Sequence, residues 1–268
     1  MEIIGYIASL LIGASLGLIG GGGSILTVPV LVYLFGVNPV LATAYSLFIV
    51  GTTSLVGTYP KYKGGEINLK TALIFGIPSI AAVFATRAFI VPAIPTEVFS
   101  IGGLVFTKSL LMMILFAILM VLASVSMIRQ KKSEVAETGE QKFNYPLILL
   151  EGTVVGVLTG LVGAGGGFLI IPALVLLSKL PMKQAVGTSL LIIAAKSLIG
   201  FTGDLGKQEM DWTLLLTVTG LAIVGIFIGN ALSKKVSSDS LKKGFGWFVL
   251  VMGIYILVKE LFFPGGGH

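Results

Sequence analysis

The chain has no cysteine, and its single histidine is the last residue, His268, behind Gly265-Gly266-Gly267. Disulfides, thiol chemistry and a histidine-ligated metal or haem are excluded on that composition, and His268 reads as a tag remnant. Charge is scarce too: Asp, Glu, Lys and Arg make up 11% of the 268 residues, 12 acids against 18 bases. A net charge of +6 would point to nucleic acid in a soluble protein, but here the bases fall between hydrophobic segments. They report orientation in a bilayer, and no nucleic-acid partner is expected. Ahead of the first apolar run stands Glu2 rather than a basic region, so a cleavable signal peptide is not expected.

What the chain has in abundance is apolar side chains. With 55% hydrophobic residues and a mean hydropathy of +1.03, one ordinary soluble core cannot hide its surface. The expectation is an all-α polytopic membrane protein, a single transmembrane domain over 1–268 with lipid as its surroundings. No cofactor is implied.

Two glycine-rich stretches interrupt that hydrophobicity. They are Gly17-Leu18-Ile19-Gly20-Gly21-Gly22-Gly23-Ser24 and Gly160-Leu161-Val162-Gly163-Ala164-Gly165-Gly166-Gly167, each followed by a proline, Pro29 and Pro172, in a short apolar run. Helices broken within a bilayer are tolerated where protein or a water-filled cavity satisfies the backbone, and they mark solute sites in transporters. Neither stretch ends in the Lys-Ser or Lys-Thr of a phosphate-binding loop, so ATP hydrolysis is not supported.

Laid on itself at an offset of 143 residues, the chain matches without gaps from Gly17 with Gly160 through Glu66 with Glu209. The identities include Gly20 with Gly163, Gly22 with Gly165, Gly23 with Gly166, Pro29 with Pro172, Ser46 with Ser189 and Ser54 with Ser197. Glycines, a proline and serines in one register point to an internal duplication. Repeat one covers about 1–129 and repeat two about 145–263, joined by a cytoplasmic linker over 130–144, with 264–268 left to the tag remnant. Hydrophobic segments fall at Ile3 to Leu18, Ile25 to Phe35, Val40 to Thr58, Leu69 to Val91 and Leu110 to Ile128. In the second copy they fall at Pro146 to Leu161, Phe168 to Leu177, Ala185 to Phe201, Trp212 to Leu232 and Phe245 to Phe263. The second member of each set is about ten residues, roughly 15 Å of helix against a hydrocarbon core of about 30 Å. Each repeat is therefore a helical hairpin broken at a glycine loop, re-entrant or a pair of thin helices, plus three transmembrane helices.

The linker carries Lys131, Lys132 and Lys142, with Arg129 just ahead of it, and is placed in the cytoplasm, together with Tyr59 to Lys70 and Ser233 to Gly244. The counterpart of the former loop, Gly203 to Asp211, then falls outside, with Asp204, Glu209 and Asp211 against Lys207 alone. One loop is basic in the first copy and acidic in the second. Two oppositely oriented copies produce that opposition; parallel copies with scattered loop charge remain the alternative.

These residues resemble the TauE/SafE family of membrane permeases, which includes sulfite and organosulfonate exporters. The carriers are the two glycine loops with Pro29 and Pro172, and the Ala-x-x-x-Ser-Leu pattern at Ala42 to Leu47 and Ala185 to Leu190. The resemblance implies a secondary transporter in a prokaryotic cytoplasmic (inner) membrane, multi-pass, moving a small sulfur-containing or carboxylate anion without ATP. Direction is left open, and so are the coupling ion, proton or sodium, and a homo-oligomeric assembly. Thiosulfate relay along cysteines is closed to a chain that has none.

The expected anion site gathers Gly21, Gly22, Gly23 and Ser24 with Gly165, Gly166 and Gly167, where the short helices would open and present backbone N–H groups. The alternative is that these glycines only let helices pack closely. Ser46 and Ser189 coincide in the repeat and are candidate donors to an oxyanion. Lys196 lies deep in its segment and would attract an anion, or else reach the outer interface. Arg87 and Glu151 are coupling candidates, each with a headgroup-level position as its alternative. An anion channel is the nearest rival function. An intramembrane enzyme is the further one, with no recognisable catalytic spacing to build on.

Overall fold

A computed structural model describes residues 2–101, 104–129, 145–176, 180–233 and 238–262. The linker 130–144, Lys234, Lys235 and the tag remnant lie outside these described residues.

Helix α1 (Glu2–Ile19) enters a 3₁₀ turn (Gly20–Leu26) and continues as α2 (Thr27–Tyr33). Then follow α3 (Pro39–Lys63) and α4 (Leu69–Ala85), which passes through a π turn (Thr86–Ile90) into α5 (Val91–Ala93). Each start has its chemistry: the Asn38 side chain accepts from Val40 N–H ahead of α3, and that of Asn68 from Thr71 N–H ahead of α4. A two-stranded antiparallel hairpin, β1 (Glu97–Ile101) and β2 (Leu104–Thr107), precedes α6 (Lys108–Arg129). The second half is α7 (Tyr145–Val162), α8 (Gly167–Leu176), α9 (Met182–Thr202), α10 (Trp212–Leu232) and α11 (Ser238–Phe262).

The all-α polytopic class therefore holds. Among the described residues seven stretches are long and apolar enough to cross a membrane, and Pro146–Val162 is a shorter apolar helix. The small hairpin is an addition, closed by stacked Phe99 and Phe106 rings at 4.7 Å between centroids. Helix α3 runs past the expected Thr58 to Lys63, carrying Pro60 within it.

The first apolar stretch, Ile3–Tyr33, is long enough to cross in one piece, yet it folds back on itself. Gly20 adopts φ +74°, which a side chain disfavours, and Gly23 then lies against Ser15 and Leu16 of α1. At the far end the Tyr6 and Phe35 rings meet at 5.4 Å, so the chain returns to the level at which α1 begins. The first hairpin is re-entrant.

Packing between the halves is reciprocal. Gly13 and Gly17 of α1 seat on Ala222 and Gly229 of α10, while Gly156 and Gly160 of α7 seat on Ser79 and Thr86 of α4. These are the same positions in the 143-residue register, and they use small residues to bring helices close where lipid supplies no hydrophobic drive between them. Between α3 and α9, Gly57 faces Leu190 and Gly200 faces Leu47, so these equivalent helices run antiparallel. Helices α6 and α11 do likewise, Gly246 facing Met127 and Gly253 facing Met120.

Candidate functional site

The two glycine turns meet in the interior, between the middles of α3 and α9. Gly21 and Gly167 touch backbone to backbone, and a Cβ on either would overlap the other. Ser24 Oγ donates to the Gly21 carbonyl at 2.8 Å and reaches the Ala164 carbonyl of the opposite turn. Gly165 lies against Ser24 and Val50, Gly163 against Thr43, and Gly21 against Ile193. Every residue from Gly20 to Leu26 is buried.

The two turns are not wound alike. Gly20 and Gly163 share a positive φ, +74° and +73°, but only the second copy continues with Gly165 and Gly166 at +65° and +66°. In the first copy Gly21 to Ser24 wind into the 3₁₀ turn, and α2 begins at Thr27 rather than opening at Gly23-Ser24. In the second copy α8 opens at Gly167 as the sequence suggests. Its Leu169 and Ile170 N–H groups both donate to the Gly166 carbonyl at 3.0 Å. Gly22 and Gly23 pack within their own hairpin, against Ile19 and Ser15.

Lys196 is fully buried, so it does not reach the interface. Its Nζ donates to Thr159 Oγ1 at 3.1 Å, and Thr159 in turn donates to the Val155 carbonyl at 2.5 Å. Nζ sits beside Gly166, at the second glycine turn. Among the described residues two ion pairs form, Lys61 with Glu66 and Arg87 with Asp204, and Lys196 is in neither. A lysine amine held without a carboxylate in a low-dielectric interior is stabilised in its charged form by an anion that binds beside it.

The other expected residues divide. Ser46 Oγ is buried without a hydrogen-bond partner, while Ser189 donates to the Val186 carbonyl on its own helix at 2.8 Å. Glu151 Oε2 is buried without a partner on a half-exposed side chain. Arg87 corrects the interfacial alternative: it is buried, with Nη1 3.5 Å from Asp204 Oδ2. Burial pushes the Asp204 carboxyl above the ordinary aspartate range, against the opposing pull of Arg87 and Lys207.

A cavity of about 440 Å³ opens beside the first hairpin, lined among others by Gly17, Lys61, Glu66, Lys183, Val186 and Asn230. Val186 packs on Gly20, so the cavity reaches the foot of the glycine turn. Thr159 and Asn230 were not singled out from sequence, and Asp204 only as a loop acid that marks orientation. Asp204 and Lys61 occupy one position in the register, as do Asn230 and Arg87, and comparing unlike residues at matched positions is the signal that finds them.

Two glycine turns meet inside a polytopic helical bundle with a buried lysine beside them, and the family and relatives of this chain place that arrangement among membrane transporters. The chain belongs to the sulfite exporter TauE/SafE family, whose profile matches residues 6–256. It is similar to a probable membrane transporter protein of Xylella fastidiosa (strain 9a5c), 31% identical over 257 residues, covering 93% of this chain and 92% of that protein. The probable membrane transporter proteins YdhB and YunE of Bacillus subtilis (strain 168) are 26% and 27% identical. They cover 92% and 97% of this chain and 96% and 98% of their own lengths. No solved structure matches.

Proposed function

We propose that the chain is a secondary transporter of a small anion, sulfite, an organosulfonate or a related carboxylate, across the cytoplasmic membrane. Two inverted halves present one central site to each side in turn. The observation that carries this is the fully buried Lys196 amine, held by Thr159 beside Gly166 with no carboxylate among the described residues to pair with it. An anion at that place holds the amine in its protonated form and completes an ion pair. Ser46, with no partner of its own, and the backbone N–H groups of Gly165 and Gly167 are the further donors we assign to it, that of Gly166 being given to the Ala164 carbonyl at 2.7 Å.

Alternating access is supported by the antiparallel course of α3 and α9 and by the unequal winding of the two glycine turns, since matched segments in different states are what a two-state carrier needs.

The test is a thermal-shift screen of the purified protein against sulfite, sulfoacetate, taurine, sulfate, thiosulfate and small carboxylates, followed by flux in liposomes. A stabilising anion whose flux saturates and follows an imposed gradient is the expected result. Unitary currents at much higher rates would assign the chain to the channels instead. Failure of every anion to stabilise or to move would sink the proposal.

A further inference from the structure

Arg87 and Asp204 form a buried pair at the positions that match two residues lining the cavity of the other half. In the 143-residue register Arg87 corresponds to Asn230, Asp204 to Lys61 and Thr43 to Val186. Helix packing follows that register too, α1 on α10 repeating α7 on α4. Asn230, Lys61 and Val186 line the open cavity and are each partly exposed. Their counterparts are shut away: Thr43 is buried against Gly163, Asp204 is buried, and Arg87 has no exposed surface. Equal positions thus stand in unequal states.

The backbone differs at the same point. Around Arg87 the chain is wound as a π turn, whereas α10 stays regular through Asn230. Single π turns inside helices concentrate at functional sites. The carbonyls of Arg87 and Ala88 accept from Lys207 Nζ at 3.1 and 2.9 Å, so the loop after α9 is latched to the end of α4. Gly203 allows that approach, because a Cβ there would press on Arg87 Cβ and Ala88 N at 3.0 and 3.1 Å.

The pair itself is loosely made. None of the three guanidinium nitrogens has a hydrogen-bond partner, and neither has Asp204 Oδ2. Buried charges so poorly satisfied return little stability, and a contact that must break suits such a bond better than a tight fork does.

We propose that Arg87 and Asp204 form the gate that closes one face of the transport path, and that this gate opens when the Lys61 and Asn230 face closes. The proposal rests on the alternating-access reading of the chain. In the exchanged state Arg87 and Asp204 take the cavity-lining positions now held by Asn230 and by Lys61, which is paired there with Glu66 at 2.9 Å.

The absence of native cysteine makes the test clean. Single reporters, Thr43→Cys and Val186→Cys, are placed in the full chain in membrane vesicles and challenged from each side with an impermeant maleimide. With the gate intact, Val186→Cys reacts from the cavity side and Thr43→Cys is protected from both. Adding Arg87→Gln or Asp204→Asn raises Thr43→Cys labelling from the opposite side by about tenfold or more. Exchanging the charges, Arg87→Asp with Asp204→Arg, restores protection, and Arg87→Lys keeps it. Opening of Thr43→Cys is accompanied by reduced Val186→Cys labelling, and in a variant that keeps the wild-type elution profile in detergent, continued protection of Thr43→Cys overturns the gate. Anion flux is scored separately. Flux with Thr43→Cys still protected removes the gate and keeps the carrier; opening of Thr43→Cys without wild-type flux keeps the gate and removes the carrier.

Discussion

Lys196 Nζ donates to Thr159 Oγ1 at 3.1 Å, and Thr159 has already directed its own proton to the Val155 carbonyl at 2.5 Å. The threonine oxygen therefore faces the ammonium as an acceptor only. In its protonated form Lys196 keeps two further N–H donors for the anion proposed to bind beside Gly166. Lys196→Met removes a buried amine that has no counter-ion, so the unfolding temperature in detergent should hold or rise. Anion affinity should fall by about 10- to 100-fold, the loss of one charge-assisted hydrogen bond. Thr159→Val should weaken the anion less. An unchanged anion-induced thermal shift in Lys196→Met would count against the site.

Gly167 offers a contrast with Gly36. Gly36 has φ +68° and open space around its missing Cβ, so Gly36→Ala bears only the backbone strain, about 1 kcal/mol. Gly167 has no positive φ, but a Cβ there would overlap the Gly21 backbone, which no rotamer change can relieve. Gly167→Ala should cost about 1 to 3 kcal/mol or more and separate the two turns. Thermal unfolding of the two variants side by side decides this, and a Gly167→Ala protein as stable as Gly36→Ala would refute the close approach.

Much of the architecture was legible because lipid leaves few options. An apolar run of some twenty residues must be a helix, and one of ten beside four glycines must be the short arm of a break. The re-entrant course was not legible, since Ile3–Tyr33 has the length and hydropathy to cross directly; Tyr6 against Phe35 decides it. The β-hairpin was missed because Glu97–Ile101 and Leu104–Thr107 are too short to show a period against their apolar surroundings. Lys196 announced itself by depth. Thr159 did not, because a threonine in an apolar helix ordinarily bonds its own backbone, and this one does that as well as receiving the lysine. Arg87 looked interfacial from its place near the end of its segment. Only the fold brings Asp204, far along the chain, beneath it.

Of the two coupling candidates Arg87 is held in an ion pair and Glu151 is not, and Lys196 joins Glu151 as a second group able to carry a proton. Glu151 Oε2 is buried with no partner, and Lys196 has no carboxylate among the described residues, so either group can change protonation without breaking an ion pair. Replacing both, as Glu151→Gln with Lys196→Met, should leave any residual anion flux indifferent to an imposed pH gradient. Flux that follows the gradient as before would reject both as proton carriers and leave sodium as the ion to test.

Tyr62 and Leu205 provide the measure of orientation. They share one position in the 143-residue register, each is exposed, and each follows one member of the antiparallel pair α3 and α9, Tyr62 in its last turn and Leu205 in the loop beyond. If the halves are inverted in the bilayer, Tyr62→Cys labels from the cytoplasmic side, where Lys61, Lys63 and Lys70 are expected, and Leu205→Cys from the opposite side among Asp204, Glu209 and Asp211. Neither substitution touches the glycine turns or the Lys196 site, so flux serves as the control for native structure. Labelling of both from one side would mean parallel halves. The carrier would then lose the symmetry that lets one site face two compartments by exchanging the states of matched elements.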